Sequence, residues 1–70
     1  MRRLTLRQFR VFDAVARHLS FSRAAEELHL SQPAVSMQVR GIETILGMRL
    51  TEQLGKKIFL TEAGREVLHA

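Results

Sequence analysis

The clearest indication of the fold of this 70-residue chain is the segment SFSRAAEELHLSQPAVSMQV, residues 20–39. A short helix is predicted over about residues 23–28, because Ala24, Ala25 and Leu28 give that segment one apolar face. Only about three residues separate it from the next predicted helix, so the chain must turn sharply between the two. This arrangement is typical of a helix-turn-helix unit.

The third helix begins at Ser31 or at Gln32. Ser31 is the better cap by chemistry, whereas Pro33 fits best at the first helical position, which would make Gln32 the cap. Gly47 is predicted to end this helix. Its apolar stripe repeats at helical spacing and consists of Val35, Val39, Ile42 and Leu46.

The first helix is predicted to open at Thr5, where Gln8 completes a capping-box pattern. Its core stripe is predicted to be Phe9, Phe12, Ala16 and Leu19. The basic residues of the opposite face, Arg7, Arg10 and Arg17, are interpreted as solvated. Ser20 or Ser22 ends this helix and caps the second, and Phe21 is predicted to be a plug in the core rather than a base-stacking residue.

Residues 49–60 are predicted to form a hairpin. Gly55 with Lys56 makes either a tight turn or part of a longer loop, and Ile58 and Leu60 alternate with Lys57 and Phe59. Thr61 then caps a fourth helix, which is cut off at Ala70. The predicted fold is therefore mainly α: a winged helix-turn-helix domain over residues 1–60, with a three-helix core and a small hairpin wing, followed over residues 61–70 by the start of a truncated linker helix.

The charge favours a polyanionic partner. The formal net charge is +4 and the isoelectric point is near 11.2, which suits nucleic acid or an anionic membrane surface. No apolar run approaches the ~20 residues of a membrane-spanning helix. The N-terminal residues have no apolar segment of a secretory signal, so we expect a cytoplasmic protein without a membrane partner.

No catalytic or metal-binding constellation is present in the sequence. There is no cysteine, and His18, His29 and His69 lack the spacing of metal ligands. No nucleophile has a paired base, and no glycine-rich phosphate loop exists. We therefore expect a binding domain that is not an enzyme and that needs no cofactor.

The outward face of the third helix suits DNA reading. Gln32 can pair with adenine, Ser36 can reach several base edges, and Met37 either touches a thymine methyl group or packs at the edge of the core. Arg40, Lys56 and Lys57 are predicted to contact phosphates, and Arg23 is a further candidate.

The run LRQFRVFDAVARHLSFSRAAEELHLSQPAVSMQVRGIETILGMRL, followed by LGKKIFLTEAG, closely resembles the N-terminal domain of LysR-type transcriptional regulators. Within that family it looks most like the regulators of Calvin-cycle carbon-fixation operons. The resemblance implies base reading by Gln32, Pro33, Ser36 and Met37. It also implies backbone or wing contacts that include Ser31 and the segment from Gln53 to Lys57.

The resemblance further implies an assembly. Such regulators form dimers through the helix that starts here near Glu62, which points to Val67 and Leu68 as dimerisation residues, and the full-length proteins usually form tetramers. A C-terminal effector-binding domain, absent from this chain, senses a small metabolite in such proteins. Two departures from the family pattern are Thr51, where many members have Phe, and Gln53, where many have Arg. Thr51 is expected to weaken packing between wing and core, and Gln53 cannot supply an arginine's charge.

Two other functions fit a small basic helical domain. A protein-interaction module would expose large apolar residues on the third helix, whereas this chain has Gln32, Ser36 and Arg40 there. A shape-reading RNA binder would lose little when Gln32 or Ser36 is replaced. Sequence-specific binding to double-stranded DNA, with a partly palindromic target, is the preferred hypothesis.

Overall fold

The computed structural model describes residues 4–69. A bundle of three helices is followed by a two-stranded antiparallel hairpin and a fourth helix. The predicted mainly α, winged helix-turn-helix fold is confirmed. The predicted cut-off at Ala70 lies outside the described residues. The elements are α1 (Leu6–His18), α2 (Phe21–Leu28), α3 (Gln32–Leu46), β1 (Thr51–Leu54), β2 (Lys57–Leu60) and α4 (Glu62–His69).

Side-chain caps set the start of each of the first two helices. The Thr5 hydroxyl accepts the Gln8 N–H at 3.0 Å, while the Gln8 side chain accepts the Thr5 N–H at 3.1 Å, so the predicted capping box is confirmed. Ser20, rather than Ser22, caps α2, because its hydroxyl accepts the Arg23 N–H at 3.2 Å. The second helix therefore begins at Phe21, two residues before its predicted start.

The cap of α3 resolves the open boundary in favour of Ser31. Its backbone is extended, and its hydroxyl accepts the Ala34 N–H at 3.2 Å. Gln32 is then the first helical residue and Pro33 the second, where a missing N–H costs nothing because first-turn amides have no partner within the helix.

Left-handed residues make both breaks between the helices. Leu19 (φ 50°) ends α1 and His29 (φ 57°) ends α2, an uncommon conformation for residues other than glycine. The prediction that Leu19 belongs to the core is wrong. The left-handed cap turns the chain away from the α1 stripe, and the Leu19 side chain is 46% exposed.

The core lies where the three helices meet. Phe12 is buried as predicted, but Phe9 and Ala16 are only half-buried. The buried face of α1 is wider than a single stripe, because α2 and α3 both pack against this helix. In α3, Val35, Val39 and Ile42 are buried and Leu46 is half-buried at the end of the stripe. The full set of buried apolar residues is Val11, Phe12, Ala14, Val15, Ala24, Ala25, Val35, Val39, Ile42 and Leu50.

The hairpin turn is the shorter of the two alternatives. Thr51 stands opposite Leu60 and Leu54 opposite Lys57, which leaves only Gly55 and Lys56 between the strands. Gly55 has φ +63° and Lys56 has no positive φ, the pattern of a type II′ turn with glycine at its first central position. As predicted, Ile58 and Leu60 are half-buried, while Lys57 and Phe59 are exposed.

The fourth helix packs tightly against the base of the hairpin. Thr61 caps α4 by accepting the Gly64 N–H at 3.0 Å, and its hydroxyl donates to the Arg49 carbonyl at 2.6 Å. A Cβ on Gly64 would lie 2.3 Å from the Leu50 carbonyl oxygen, so only glycine fits there without a shift. These contacts fix where the hairpin leaves the helical core. Among residues 4–69, no helix is long and apolar enough to cross a lipid bilayer.

Candidate nucleic-acid interface

The first turns of α3 present an accessible and mostly polar face. Gln32, Pro33 and Arg40 are exposed, and Ser36 is half-buried between them. Met37 is 68% exposed, so it does not pack at the edge of the core. All four residues predicted to read bases therefore lie on the accessible surface of one helix, and their contacts with bases stay a prediction.

The N-terminus of α3 has one amide left for a ligand. Pro33 has no N–H, the Ala34 N–H donates to the Ser31 hydroxyl, and the Val35 N–H donates to the Ser31 carbonyl at 3.1 Å. Within the described chain, only the Gln32 amide of this first turn has no partner. The helix end is therefore a weaker anion site than four free amides would be.

A groove separates α3 from the hairpin. The α3 wall contains Gln32, Ser36 and Arg40, and the hairpin wall contains Arg49, Thr51 and Gln53. Phe21 packs against the core, as predicted, and it also borders this groove. The fold thus brings base-reading candidates and hairpin residues to one concave surface.

The four basic residues that are predicted to contact phosphates lie in three places. Arg40 lines the groove, and Lys56 lies in an adjoining depression with Ser20 and Gln32, so both flank the reading face of α3. Lys57 is exposed on the outward face of the hairpin, opposite Leu54. Arg23 lies elsewhere, in a depression with His18, Glu26 and Glu27.

Gln53 and Thr51 show what the two departures from the family pattern do locally. The Gln53 amide donates to the Gly55 carbonyl at 3.3 Å, so it supports the turn of its own hairpin. Thr51 is only 8% exposed and stands opposite Leu60. The expected loss of local stability at Thr51 stays a prediction.

The predicted dimerisation residues contact this chain's own core. Val67 and Leu68 are both half-buried and pack against the core cluster from α4. Part of each side chain remains accessible, and their role between subunits stays a prediction.

An ion-pair cluster between α1 and α2 was missed by sequence reasoning. Arg17, interpreted as solvated, donates to both carboxylate oxygens of Glu27 at 2.9 and 2.5 Å and to Asp13 at 3.0 Å. His18 Nε2 lies 2.8 Å from the same Glu27 carboxylate. The spacing of Asp13 and Arg17 could have indicated one of these pairs, since residues four apart are neighbours on a helix. The pairs with Glu27 depend on how two helices cross.

Electrostatics follow directly from this geometry. Hydrogen bonds from Arg17 and His18 lower the pKa of Glu27 from its ordinary 4.5 to about 2, and the bonds from Arg17 have the larger effect. The Glu27 carboxylate in turn raises the pKa of Arg17. Although His18 lies beside the Glu27 carboxylate, no group of three or more His, Asp or Glu among residues 4–69 could hold a metal ion.

The structure has close counterparts among known proteins. The RuBisCO operon transcriptional regulator of Allochromatium vinosum is 70% identical over 66 residues, covering 94% of this chain and 22% of that protein. The HTH-type transcriptional regulator CfxR of Cupriavidus necator is 58% identical over 69 residues, or 99% of this chain and 22% of that protein. The crystal structure of a CbnR_DBD-DNA complex superposes with a TM-score of 0.87 at 38% identity, covering 93% of this chain and 75% of that chain.

These relatives confirm the likeness to regulators of carbon-fixation operons and to helix-turn-helix domains solved with DNA. The chain spans about a fifth of the length of the curated relatives that it matches. The model of bacterial regulatory helix-turn-helix proteins of the LysR family matches residues 6–65, nearly the whole chain. The chain therefore belongs to the LysR family of bacterial regulatory helix-turn-helix proteins.

Proposed function

We propose that this chain is the sequence-specific DNA-binding domain of a bacterial transcription regulator. The observation that carries the proposal is the accessible polar face of α3, where Gln32, Ser36 and Met37 point away from the core. In helix-turn-helix proteins the N-terminal residues of this second helix of the unit enter the major groove. A relative with the same fold was solved bound to DNA.

Each residue of this face has a defined role in the proposed complex. Gln32 forms paired hydrogen bonds with adenine, Ser36 reaches a base edge, and Met37 contacts a thymine methyl group. Pro33 packs beside them against the bases. The residues proposed to contact the backbone and so to set the register are Arg23, Ser31, Arg40, Gln53, Lys56 and Lys57.

The assembly is part of the same proposal. A homodimer joined through α4, with Val67 and Leu68 in its interface, would place two copies of α3 one helical turn apart on a partly palindromic site. The full-length protein is proposed to form tetramers, to bind its effector through a separate C-terminal domain and to regulate a carbon-fixation operon. We place it in the cytoplasm, where bacterial DNA lies, and assign it binding rather than catalysis, with no cofactor.

Selection from random-sequence duplex DNA tests the proposal. The full-length protein is titrated with the pool, and the bound fraction is sequenced. An enriched inverted repeat is the expected result. With about 6–8 phosphates neutralised per dimer, the slope of log affinity against log salt concentration should be about −5 to −7.

Substitutions on α3 then separate base reading from simple charge attraction. Gln32→Ala and Ser36→Ala should each cost about 1–3 kcal/mol of binding and relax the preference at one position of the site. Gln38→Ala is the matched control, because Gln38 lies on α3 outside the groove. Binding without enrichment, or equal binding of duplex RNA, would contradict the proposal and favour a general basic nucleic-acid patch.

A further inference from the structure

Arg49 is a basic residue with no assigned role at the base of the hairpin. It lies two residues before β1, it is exposed, and it lines the same groove as Gln32, Ser36 and Arg40. Its position in sequence, nine residues after Arg40 and outside α3, does not predict this proximity. The two arginines border one groove, Arg40 from α3 and Arg49 from the hairpin.

Hydrogen bonds hold the backbone at Arg49 and at the residue that follows it. Its carbonyl accepts the Thr61 hydroxyl at 2.6 Å. The next residue, Leu50, is fully buried, and it donates its N–H to Glu43 at 2.8 Å while its carbonyl accepts the Thr61 N–H at 3.0 Å. The side chain therefore extends into the groove from a fixed base, and less ordering is needed when it binds a ligand.

The guanidinium groups in the groove have no acidic partner. In the described part of the chain, every ion pair within 4.0 Å involves Arg17 or His18, and none involves Arg40 or Arg49. Two glutamates also border the groove. The Glu43 carboxylate accepts a hydrogen bond from the Leu50 N–H. Glu52 is paired with Phe59, and because side chains alternate along a strand, it lies on the opposite face of the hairpin from Thr51 and Gln53.

The middle of β1 offers no positive charge. Gln53 is neutral, and its amide is bonded to the Gly55 carbonyl. The basic groups of the hairpin therefore lie at its two ends: Lys56 and Lys57 at the turn, and Arg49 at the base. A phosphodiester strand that follows the hairpin would meet a cation at each end.

We propose that Arg49 binds a backbone phosphate of duplex DNA at the base of the hairpin, beside the groove wall that carries Arg40. The inference rests on the proposed function and adds a contact to it. The planar guanidinium suits two parallel hydrogen bonds to phosphate oxygens. Such a contact positions the hairpin and carries no sequence information.

The test measures affinity against salt concentration for the full-length protein. Arg49→Gln is compared with wild type and with Arg10→Gln, an exposed arginine of α1 that lies outside the groove. The probes are the selected duplex and a random-sequence duplex. Arg49→Gln should make the log–log slope shallower by about 0.9 per subunit and weaken binding about 5–10-fold per subunit near 0.1 M salt, equally on both duplexes. Arg49→Lys should restore the slope, since the charge is kept, while Arg10→Gln should change neither quantity.

Each alternative outcome has a definite meaning. If wild type shows no salt-dependent binding, the proposed function fails. If wild type binds and Ser36→Ala weakens it while Arg49→Gln leaves slope and affinity unchanged, only the role of Arg49 is overturned. A loss confined to the selected duplex would make Arg49 a base-reading residue and would also overturn the phosphate assignment. The melting temperature of Arg49→Gln should match wild type, because the side chain is exposed, so a loss of binding would not reflect unfolding.

Discussion

The cluster between α1 and α2 and the groove between α3 and the hairpin use arginine in opposite ways. In the cluster, Arg17 is held by Asp13 and by both oxygens of Glu27. In the groove, Arg40 and Arg49 have no acidic partner in the described residues. The first surface has its charges neutralised within the chain, and the second keeps them for a ligand.

Arginine therefore has a structural role on the first surface and a ligand-binding role on the second. A guanidinium that forks onto a carboxylate of a neighbouring helix fixes the position of that helix, even though exposed pairs contribute little stability. An unpaired guanidinium in a groove contributes nothing to folding but attracts phosphate from a distance. Net charge alone does not distinguish the two, because both surfaces contain arginine and glutamate.

We expect the largest effect from a substitution that disrupts the contact between α4 and the base of the hairpin. Gly64→Ala would place a Cβ 2.3 Å from the Leu50 carbonyl oxygen, which is a backbone atom, so α4 or the base of the hairpin must shift. We expect the free energy of unfolding to fall by about 1–3 kcal/mol, measured by urea denaturation.

Gly41→Ala is the matched control, also inside a helix. Its Cβ would meet only the Nε2 atom of the Gln8 side chain, at 3.1 Å and without any backbone contact, and alanine favours helix over glycine by up to about 1 kcal/mol. We expect no loss of stability from this change. Equal denaturation midpoints for the two variants would contradict the tight contact at Gly64.

A smaller effect should separate the two arginine surfaces. Arg17→Gln removes the hydrogen bonds to Asp13 and Glu27, so the melting temperature should fall slightly, and more than for Arg10→Gln on the same helix. Its affinity for DNA should stay at the wild-type value, because the cluster lies outside the groove. Weaker DNA binding by Arg17→Gln at unchanged stability would reverse the proposed division of roles.

The smallest effect is a pH dependence within the paired cluster. The pKa of Glu27 is about 2 in the folded chain against an ordinary 4.5, chiefly through the Arg17 hydrogen bonds. A lowered folded pKa stabilises the protein fully above the unfolded value, and this contribution is lost as pH falls through the folded value. The difference in melting temperature between wild type and Glu27→Gln should therefore shrink from about pH 4.5 to about pH 2.

Glu26→Gln provides the control for this pH series. Glu26 is the exposed neighbour of Glu27 on α2 and makes no ion pair in the described structure. Its substitution should give no comparable change with pH. A Glu27→Gln difference that stayed constant down to pH 2 would show that the carboxylate charge does not stabilise the fold.

Local signals predicted most of the architecture. The capping box at Thr5 and Gln8, the two alanines of α2 and the stripe Val35, Val39 and Ile42 all depend on residues within one or two turns of each other. Such patterns are decided by the helix period, so they can be read without knowing how the helices pack. The predicted start of α2 and the predicted burial of Leu19 were wrong. The left-handed backbone of Leu19 ends the first helix and lets Ser20 cap the second.

The candidate site was predicted in part. The residues of α3 were found because one helix face carries Gln32, Ser36 and Arg40 in regular spacing. Arg49 was not found, since nothing in its neighbourhood in sequence distinguishes it from a solvated loop residue. The role of Gln53 as a support of the turn also depends on the hairpin geometry.

Caps, glycines and the apolar period act over a few residues, so they are enough to predict the helices, the hairpin, the position of the sharp turn and the polar face of α3. Which charges among the described residues are paired and which are free follows from the packing of the folded chain. That choice depends on the crossing of α1 with α2 and on the close contact of Gly64 with Leu50, which sets the base of the hairpin beside α3. Side chains ten residues apart, as Arg17 and Glu27 are, meet at hydrogen-bond distance only after the core has packed.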